Sequence, residues 1–447
     1  MGMGLKKDQI RNITLTILVL LSFLLSFNLW TAGRNIGEEQ NSSNQTVRSN
    51  VSMTEHSESE AFRPTLIALH GVEDQSSLTV ASTFPLRNLL DNRYSSDNLQ
   101  SIESYEEVNV SQYLEMLQNG EWMEFIFREE LPLGILSQKF DDLSQENENS
   151  FFDRILINIE NRGTVYFYHT ETNAFYSASV SEDESINIDP FLNTENLIYK
   201  PAEIRIFNEK LIYLSQETIE IPYRSYVIDR LPNSLYTSNF YPDPSLVDVR
   251  SSESTTRYID LTREVTINSR NHTLVFLRQI EESGELRPTD RFIRSFEQVN
   301  RFENWTGTYA LTNYSPEDGI VSFRREIEGL PVFSSSDNET VSEVGLVEGG
   351  VTHLKLPLRF INTPITMDGS PTEELIPGIE VIDQLSDQLS PEEFEKVEDL
   401  TIGYTWQESD EASQVIYFIP DWYILYDGSW TEFETLLELH GEVAYGF

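Results

Sequence analysis

Six histidines are the side chains of this sequence whose ordinary pKa lies nearest neutrality: His56, His70, His169, His272, His353 and His440. Clustered histidines would hold a metal or relay protons. No two of these lie at metal-ligand spacing and His-Glu-x-x-His is absent, so each reads as a surface or packed residue. Ser336-Asp337-Asn338 matches one element of the β-lactamase set, but no Lys has a Ser three residues before it and Lys-Thr-Gly is missing. Gly-x-Ser-x-Gly, a Walker loop, a Gly-rich dinucleotide turn and an EF-hand loop are also absent. No catalytic residue, no metal and no cofactor is therefore expected.

With 74 Asp and Glu residues, a carboxylate pair for glycoside cleavage is available everywhere and indicated nowhere. Its best location is the aromatic tail Pro420-Asp421-Trp422-Tyr423-Ile424-Leu425-Tyr426-Asp427-Gly428-Ser429-Trp430. There a sugar would stack on Trp422 or Trp430, with Asp421 or Asp427 as the acid. The competing reading is a core strand, with Trp422, Ile424 and Tyr426 on one face, Tyr423 and Leu425 on the other, and a turn at Asp427-Gly428. We prefer the strand. Likewise, Glu328-Gly329-Leu330-Pro331-Val332-Phe333 reads as turn chemistry between strands rather than a ligand loop.

The composition narrows the classes further. The 447 residues carry a formal net charge of −43, which repels nucleic acid and anionic lipid headgroups. The absence of Cys excludes disulfides, thiolate metal sites, a Cys nucleophile and lipoprotein acylation. Twenty-five Phe, 20 Tyr and 6 Trp supply material for large cores.

The element that must position the rest is the apolar run at residues 10–30. From Asn12 to Trp30 it holds no charge, no Gly and no Pro, and it is close to the ~20 residues that cross a bilayer as a helix. Lys6, Lys7 and Arg11 against Asp8 keep residues 1–9 in the cytoplasm and send everything after Trp30 outside. The run is longer than a signal-peptide core and Thr31-Ala32-Gly33 is a poor cleavage site, so a retained single-pass anchor is expected. Asn28 and Trp30 suit the outer membrane interface. Thr14, Leu18, Ser22 and Ser26 recur every four residues and mark one helical face, a candidate surface for a partner helix. Equally, the hydroxyls there have their own i−4 carbonyls to bond.

Residues 31–61 are polar and read as a flexible stalk. Beyond them, three mixed regions are expected. Residues 62–150 hold a strand near Thr65–His70, a short helix after Pro85, a helix at 111–118 ending in Asn119-Gly120, and a strand at 122–127. The segment 141–149 is acidic and makes a boundary. Residues 151–286 are strand-rich: a meander over 155–180, a strand at 223–228, a short helix at 232–240, and strands 257–267 and 273–280 joined across Asn268–Asn271. Residues 287–447 open with a helix whose Phe292, Phe296, Val299 and Phe302 share a face. Strands follow at 320–326, 332–333 and 351–358, then helices after Pro377 and Ser390, then strands at 402–406, 415–419 and 422–426. A weak echo between residues 163–177 and 319–334, each strand, turn and strand, links the last two regions.

Three stretches together carry a resemblance: Asn28-Leu29-Trp30-Thr31; Ser322-Phe323-Arg324-Arg325-Glu326-Ile327-Glu328-Gly329-Leu330-Pro331-Val332-Phe333; and Pro420-Asp421-Trp422-Tyr423 with Gly428-Ser429-Trp430. By their order and spacing the chain resembles the YycH (WalH) family of Gram-positive bacteria over nearly its whole length. Ala32-Gly33-Arg34 departs from the aromatic and Pro expected after the Trp. The resemblance implies an α+β fold: one transmembrane helix and three extracytoplasmic domains, the last two related. It implies a non-enzymatic regulator paired with a YycI-like membrane protein and with the sensor histidine kinase YycG (WalK), which controls cell-wall metabolism genes. Membrane lipid would be met through the anchor and nucleic acid not at all. The alternative is an anchored extracytoplasmic cell-wall glycosidase or sugar-binding protein using the aromatic tail.

Overall fold

Alternating aromatic and β-branched runs make sheet the dominant element among the described residues. A computed structural model describes residues 56–72, 75–80, 99–180, 185–192, 199–207, 210–241, 243–280, 284–365 and 371–440. The first sheet contains β1 (Leu66–Val72), β2 (Gln75–Val80), β3 (Ser104–Glu107), β4 (Trp122–Pro132), β5 (Phe151–Asn158), β6 (Thr164–His169), β7 (Ala174–Ser179), β8 (Lys200–Phe207) and β9 (Lys210–Ser215). Their order across the sheet is β3-β7-β6-β5-β4-β1-β2-β8-β9. Both faces are covered. Met123, Phe125, Ile155, Ile157 and Phe167 enter the main core, while Leu156, Tyr168 and Phe175 pack under the helix Val110–Gln118 through Tyr113 and Leu117. That helix starts at Asn109, whose side chain accepts from Gln112 N, while the Gln112 side chain accepts in return from Asn109 N.

Among the described residues β10 (Ile219–Pro222) pairs with β22 (Thr372–Leu375) alone. The second sheet takes β11 (Arg224–Arg230), β12 (Asp248–Ser251), β13 (Thr255–Ile259), β14 (Arg263–Asn268) and β15 (Thr273–Arg278). It continues with β16 (Thr308–Ser315), β17 (Ile320–Ile327), β18 (Leu330–Phe333), β19 (Val341–Val347), β20 (Gly350–Pro357) and β21 (Arg359–Pro364). β23 (Val397–Glu408), β24 (Val415–Tyr426) and β25 (Ser429–Glu432) complete it. β18 pairs with β23 in parallel, joining one run, β12-β13-β14-β15-β20-β19-β17-β18, to another, β23-β24-β11-β21. The helix Pro288–Phe302 has Pro at its first position, and buries Phe292, Phe296, Val299 and Phe302. Its predicted apolar face is the one observed. The helices Gly378–Gln388 and Phe433–His440 cover the far face of β24 with Val381, Ile382, Leu385 and Leu436.

The described chain is α+β, as expected, but its sheets do not follow the expected divisions. The first crosses residue 150, since β4 pairs with β5, and the second crosses 286, since β15 pairs with β20. One core holds Phe62, Phe152, Phe292 and Phe323 together. The end of the expected stalk is also folded. His56 N donates to Asn300 Oδ1 at 3.1 Å, Asn300 Nδ2 donates to the His56 carbonyl at 3.1 Å, and Ala61 and Phe62 are buried. Composition alone misses this because the segment is held by distant partners, not by its own apolar content.

Smaller departures have local causes. The strand expected over 257–267 is two, because Asp260 Oδ1 accepts from Thr262 N and Arg263 N (2.9 and 2.8 Å) and turns the chain. The strands expected at 415–419 and 422–426 are one, β24, running through Pro420 and Asp421 opposite β23. The echoed hairpins differ in outcome: β6 and β7 pair along six positions, whereas β17 and β18 pair at two before β18 leaves for β23. Among the described residues no helix is long and apolar enough to cross a membrane. The run 10–30 and the helix expected after Pro85 lie outside those residues.

Candidate functional site

The aromatic tail is folded as the strand reading requires. Trp422 is buried against the helix Gly378–Gln388, and its indole Nε1 donates to the Ile376 carbonyl at 3.0 Å. Tyr423 faces the other way and stacks on Phe333 with ring centroids 3.8 Å apart. Trp430 is half-buried, 5.7 Å from the Phe333 ring and 5.5 Å beneath the Arg128 guanidinium. Asp427 (φ 49°) and Gly428 (φ 73°) form the tight turn into β25. Burial pushes the Asp421 carboxyl up to about 7, and a hydrogen bond and charge from Glu432 add to the rise. A hydrogen-bonded carboxyl pair is closer than the ~5–5.5 Å needed even by a retaining glycosidase. The buried Trp422 and the pairing of Asp421 with Glu432 fit the strand reading, while Trp430 stays half-buried.

The stretch 322–333, which carries the family resemblance, is a structural core. Arg325 is buried over the Trp305 ring at 4.6 Å; it donates to the carbonyls of Glu339 and Arg359, both at 2.7 Å, and to Glu303 Oε1 at 2.6 Å. Arg324 lies 4.4 Å above Phe333 and donates to Asp337 Oδ1 at 2.6 Å. Glu326 accepts from Arg63 and, at 3.1 Å, from Thr308 Oγ1. Glu328 and Gly329 both take positive φ (51° and 82°), which makes the tight turn to β18, as the sequence predicts.

Two clusters escaped the sequence. In the first, Glu124 of β4 is fully buried and accepts from Tyr113 OH (2.6 Å), Tyr213 OH (2.5 Å) and His70 Nε2 (2.8 Å), with Arg154 Nε 3.5 Å away. Burial alone would raise its pKa; the His70 hydrogen bond and charge, the Arg154 charge and the Tyr113 hydrogen bond together hold it below the ordinary carboxylate value. Burial, and then the neighbouring Glu124 charge, push both tyrosines well above theirs. A saturated carboxylate of this kind ties β1, β4, β5, β9 and a helix together. The signal was present: Glu124 and His70 are lone polar residues inside apolar strands, which are tolerated only with partners.

In the second, Glu130, His169 and Glu171 meet at one end of β4 and β6. His169 Nε2 bonds Glu130 Oε2 at 2.7 Å and Nδ1 bonds Thr172 Oγ1 at 2.6 Å. Burial would lower the His169 pKa, but the Glu130 hydrogen bond and the charges of Asp153 and Glu130 raise it. Here alone among the described residues do three His or acidic donors lie close enough to share an ion, all within 4.8 Å. Spacing along the chain hid this group, since Glu130 and His169 are 39 positions apart and only the sheet joins them.

The face Thr14, Leu18, Ser22 and Ser26 and the interface residues Asn28 and Trp30 lie outside the described residues. Comparison with known proteins bears on most of the chain. A family model for the N-terminal domain of the YycH protein matches residues 8–196, and one for its C-terminal domain matches residues 209–439, more than half of the chain. A relative from Bacillus subtilis (strain 168), named two-component system WalR/WalK regulatory protein YycH, is 20% identical over 344 residues, 74% of this chain and 75% of the relative. A crystal structure of YycH from Bacillus subtilis matches with a TM-score of 0.63 at 18% identity, covering 86% of this chain and 99% of that one, so the fold is shared. With both domain models matched in order along a chain of that fold, this protein belongs to the YycH family.

Proposed function

We propose that this protein is a non-enzymatic accessory regulator of a WalR/WalK-type two-component system. It acts on the sensor histidine kinase YycG (WalK) that governs cell-wall metabolism. One observation carries the reading: the Bacillus subtilis relative, which matches over 74% of this chain, bears the name of a regulator of that system. The apolar run 10–30, with its basic flank, supports a single-pass anchor with the N-terminus in the cytoplasm and the bulk of the chain outside. The Thr14-Leu18-Ser22-Ser26 face is then the surface for a neighbouring helix, from the kinase or a YycI-like membrane protein, and Asn28 and Trp30 rest at the interface.

The test is a chimera in which an unrelated spanning helix replaces residues 10–30. Kinase output and co-purification with the kinase under mild detergent are measured with and without the ectodomain. The expected result is loss of coupling in the helix chimera and weaker capture without the ectodomain. Unchanged output and capture in both variants would overturn the reading.

A further inference from the structure

We propose that Glu130, His169 and Glu171 form a binding site for a divalent transition-metal ion of the zinc class. The three offer one imidazole nitrogen and two carboxylates whose donor atoms lie within 4.8 Å of one another. A tetrahedral zinc ion places its ligands about 3.4 Å apart. His169 Nε2 and Glu130 Oε2 are 2.7 Å apart across a proton, so a metal taking the proton's place needs them to part by less than 1 Å or so. The other nitrogen, Nδ1, is held by Thr172 Oγ1 at 2.6 Å, the outer contact that fixes the ring of a ligating histidine.

The frame around the group is built before any ion arrives. His169 is the last residue of β6, is buried, and packs 6.3 Å from the Phe151 ring. Glu171 lies on the turn that follows. That turn is fastened by Asp153, whose two oxygens accept from Thr170 N (2.8 Å) and Thr170 Oγ1 (2.7 Å). Glu130 comes from the stretch of β4 between Ile126 and Leu131, where pairing with β5 shifts register. Such a bulge re-aims side chains that regular pleating would point elsewhere. Glu171 is exposed and Glu130 half-buried, which leaves a way in from solvent and room for water as a fourth ligand. A nitrogen with two carboxylates favours zinc-class ions over Ca²⁺, which takes six to eight oxygens. The ion pair between Glu130 and His169 holds two of the residues without any metal, and the exposed Glu171 beside them supplies the third donor that a metal needs.

The experiment uses the full-length protein in detergent micelles, dialysed against micromolar Zn²⁺ in a large excess of Mg²⁺ that occupies the acidic surface. Bound zinc is counted by elemental analysis. One zinc per chain is expected. Glu171→Gln, on an exposed side chain, should weaken zinc binding at least tenfold while its melting temperature without zinc stays that of the wild type. Zinc should raise the melting temperature of the wild type and not that of the variant. Equal zinc uptake by wild type and Glu171→Gln, or no zinc above the Mg²⁺ background, overturns the proposal.

Discussion

Arg63 and Glu326 are 263 positions apart in the chain, and their side chains form a buried ion pair between the segment entering β1 and the far end of β17. Thr308 Oγ1 holds the same carboxylate oxygen at 3.1 Å, and Arg63 also donates to the Glu60 carbonyl at 3.3 Å. A pair this deep costs a great deal to break and much less to replace. Arg63→Ala should therefore lose about 3–5 kcal/mol, because it strands Glu326 in the core. Arg63→Met with Glu326→Leu should recover most of that loss. Urea titration of the three proteins measures both effects; a double variant as unstable as Arg63→Ala would refute the account.

Arg325 tests geometry rather than charge. Its guanidinium serves two carbonyls and Glu303 at once while lying over Trp305. Lysine keeps the charge but loses the planar fork. Arg325→Lys should cost about 3 kcal/mol, close to what Arg325→Met costs. A conservative result below about 1 kcal/mol would show that charge alone matters there.

The Asp421–Glu432 pair makes a statement about pH. Asp421 titrates near 7 in the folded chain, mainly through burial and then through Glu432, and below 4 when unfolded. The folded state thus binds more protons between those values, so this contribution is complete below about pH 4 and is lost as pH rises through 7. Wild type should lose on the order of 2 kcal/mol between pH 5 and pH 8 at this site, whereas Asp421→Asn should lose little. Thermal melts at the two pH values decide it. Equal losses in both proteins would acquit the pair.

The two tryptophans of the tail should behave differently. Trp422 is buried with its indole nitrogen bonded, so Trp422→Ala should cost about 3–5 kcal/mol. Trp430 is half-buried beside Arg128 and Phe333, and Trp430→Ala should cost about 1 kcal/mol. A sugar platform would show the opposite: little stability lost at either ring, with binding of wall glycans abolished.

Much of this was legible along the chain wherever a short repeat decides the outcome. The helix Pro288–Phe302 was readable from four apolar residues sharing one face, and the turn at Asp427-Gly428 from residue types that accept positive φ. Trp422, Ile424 and Tyr426 were assigned to one face of a core strand by alternation alone, and they pack together in one cluster. The clusters around Glu124 and His169 were not readable, because their members sit on strands that meet only after the sheet forms. Lone polar residues such as His70 and Glu124 announced that partners must exist without saying which.

The sequence by itself determined many of the strands, the helix Pro288–Phe302 with its inward face, and which family the chain resembles, because periodicity and turn chemistry act over a few residues. Tertiary structure alone decided that Arg63 meets Glu326, that both sheets cross the expected divisions, and that Glu130 reaches His169. Those are contacts between residues tens to hundreds of positions apart. Their pairing is set by strand order and register, which no local pattern encodes.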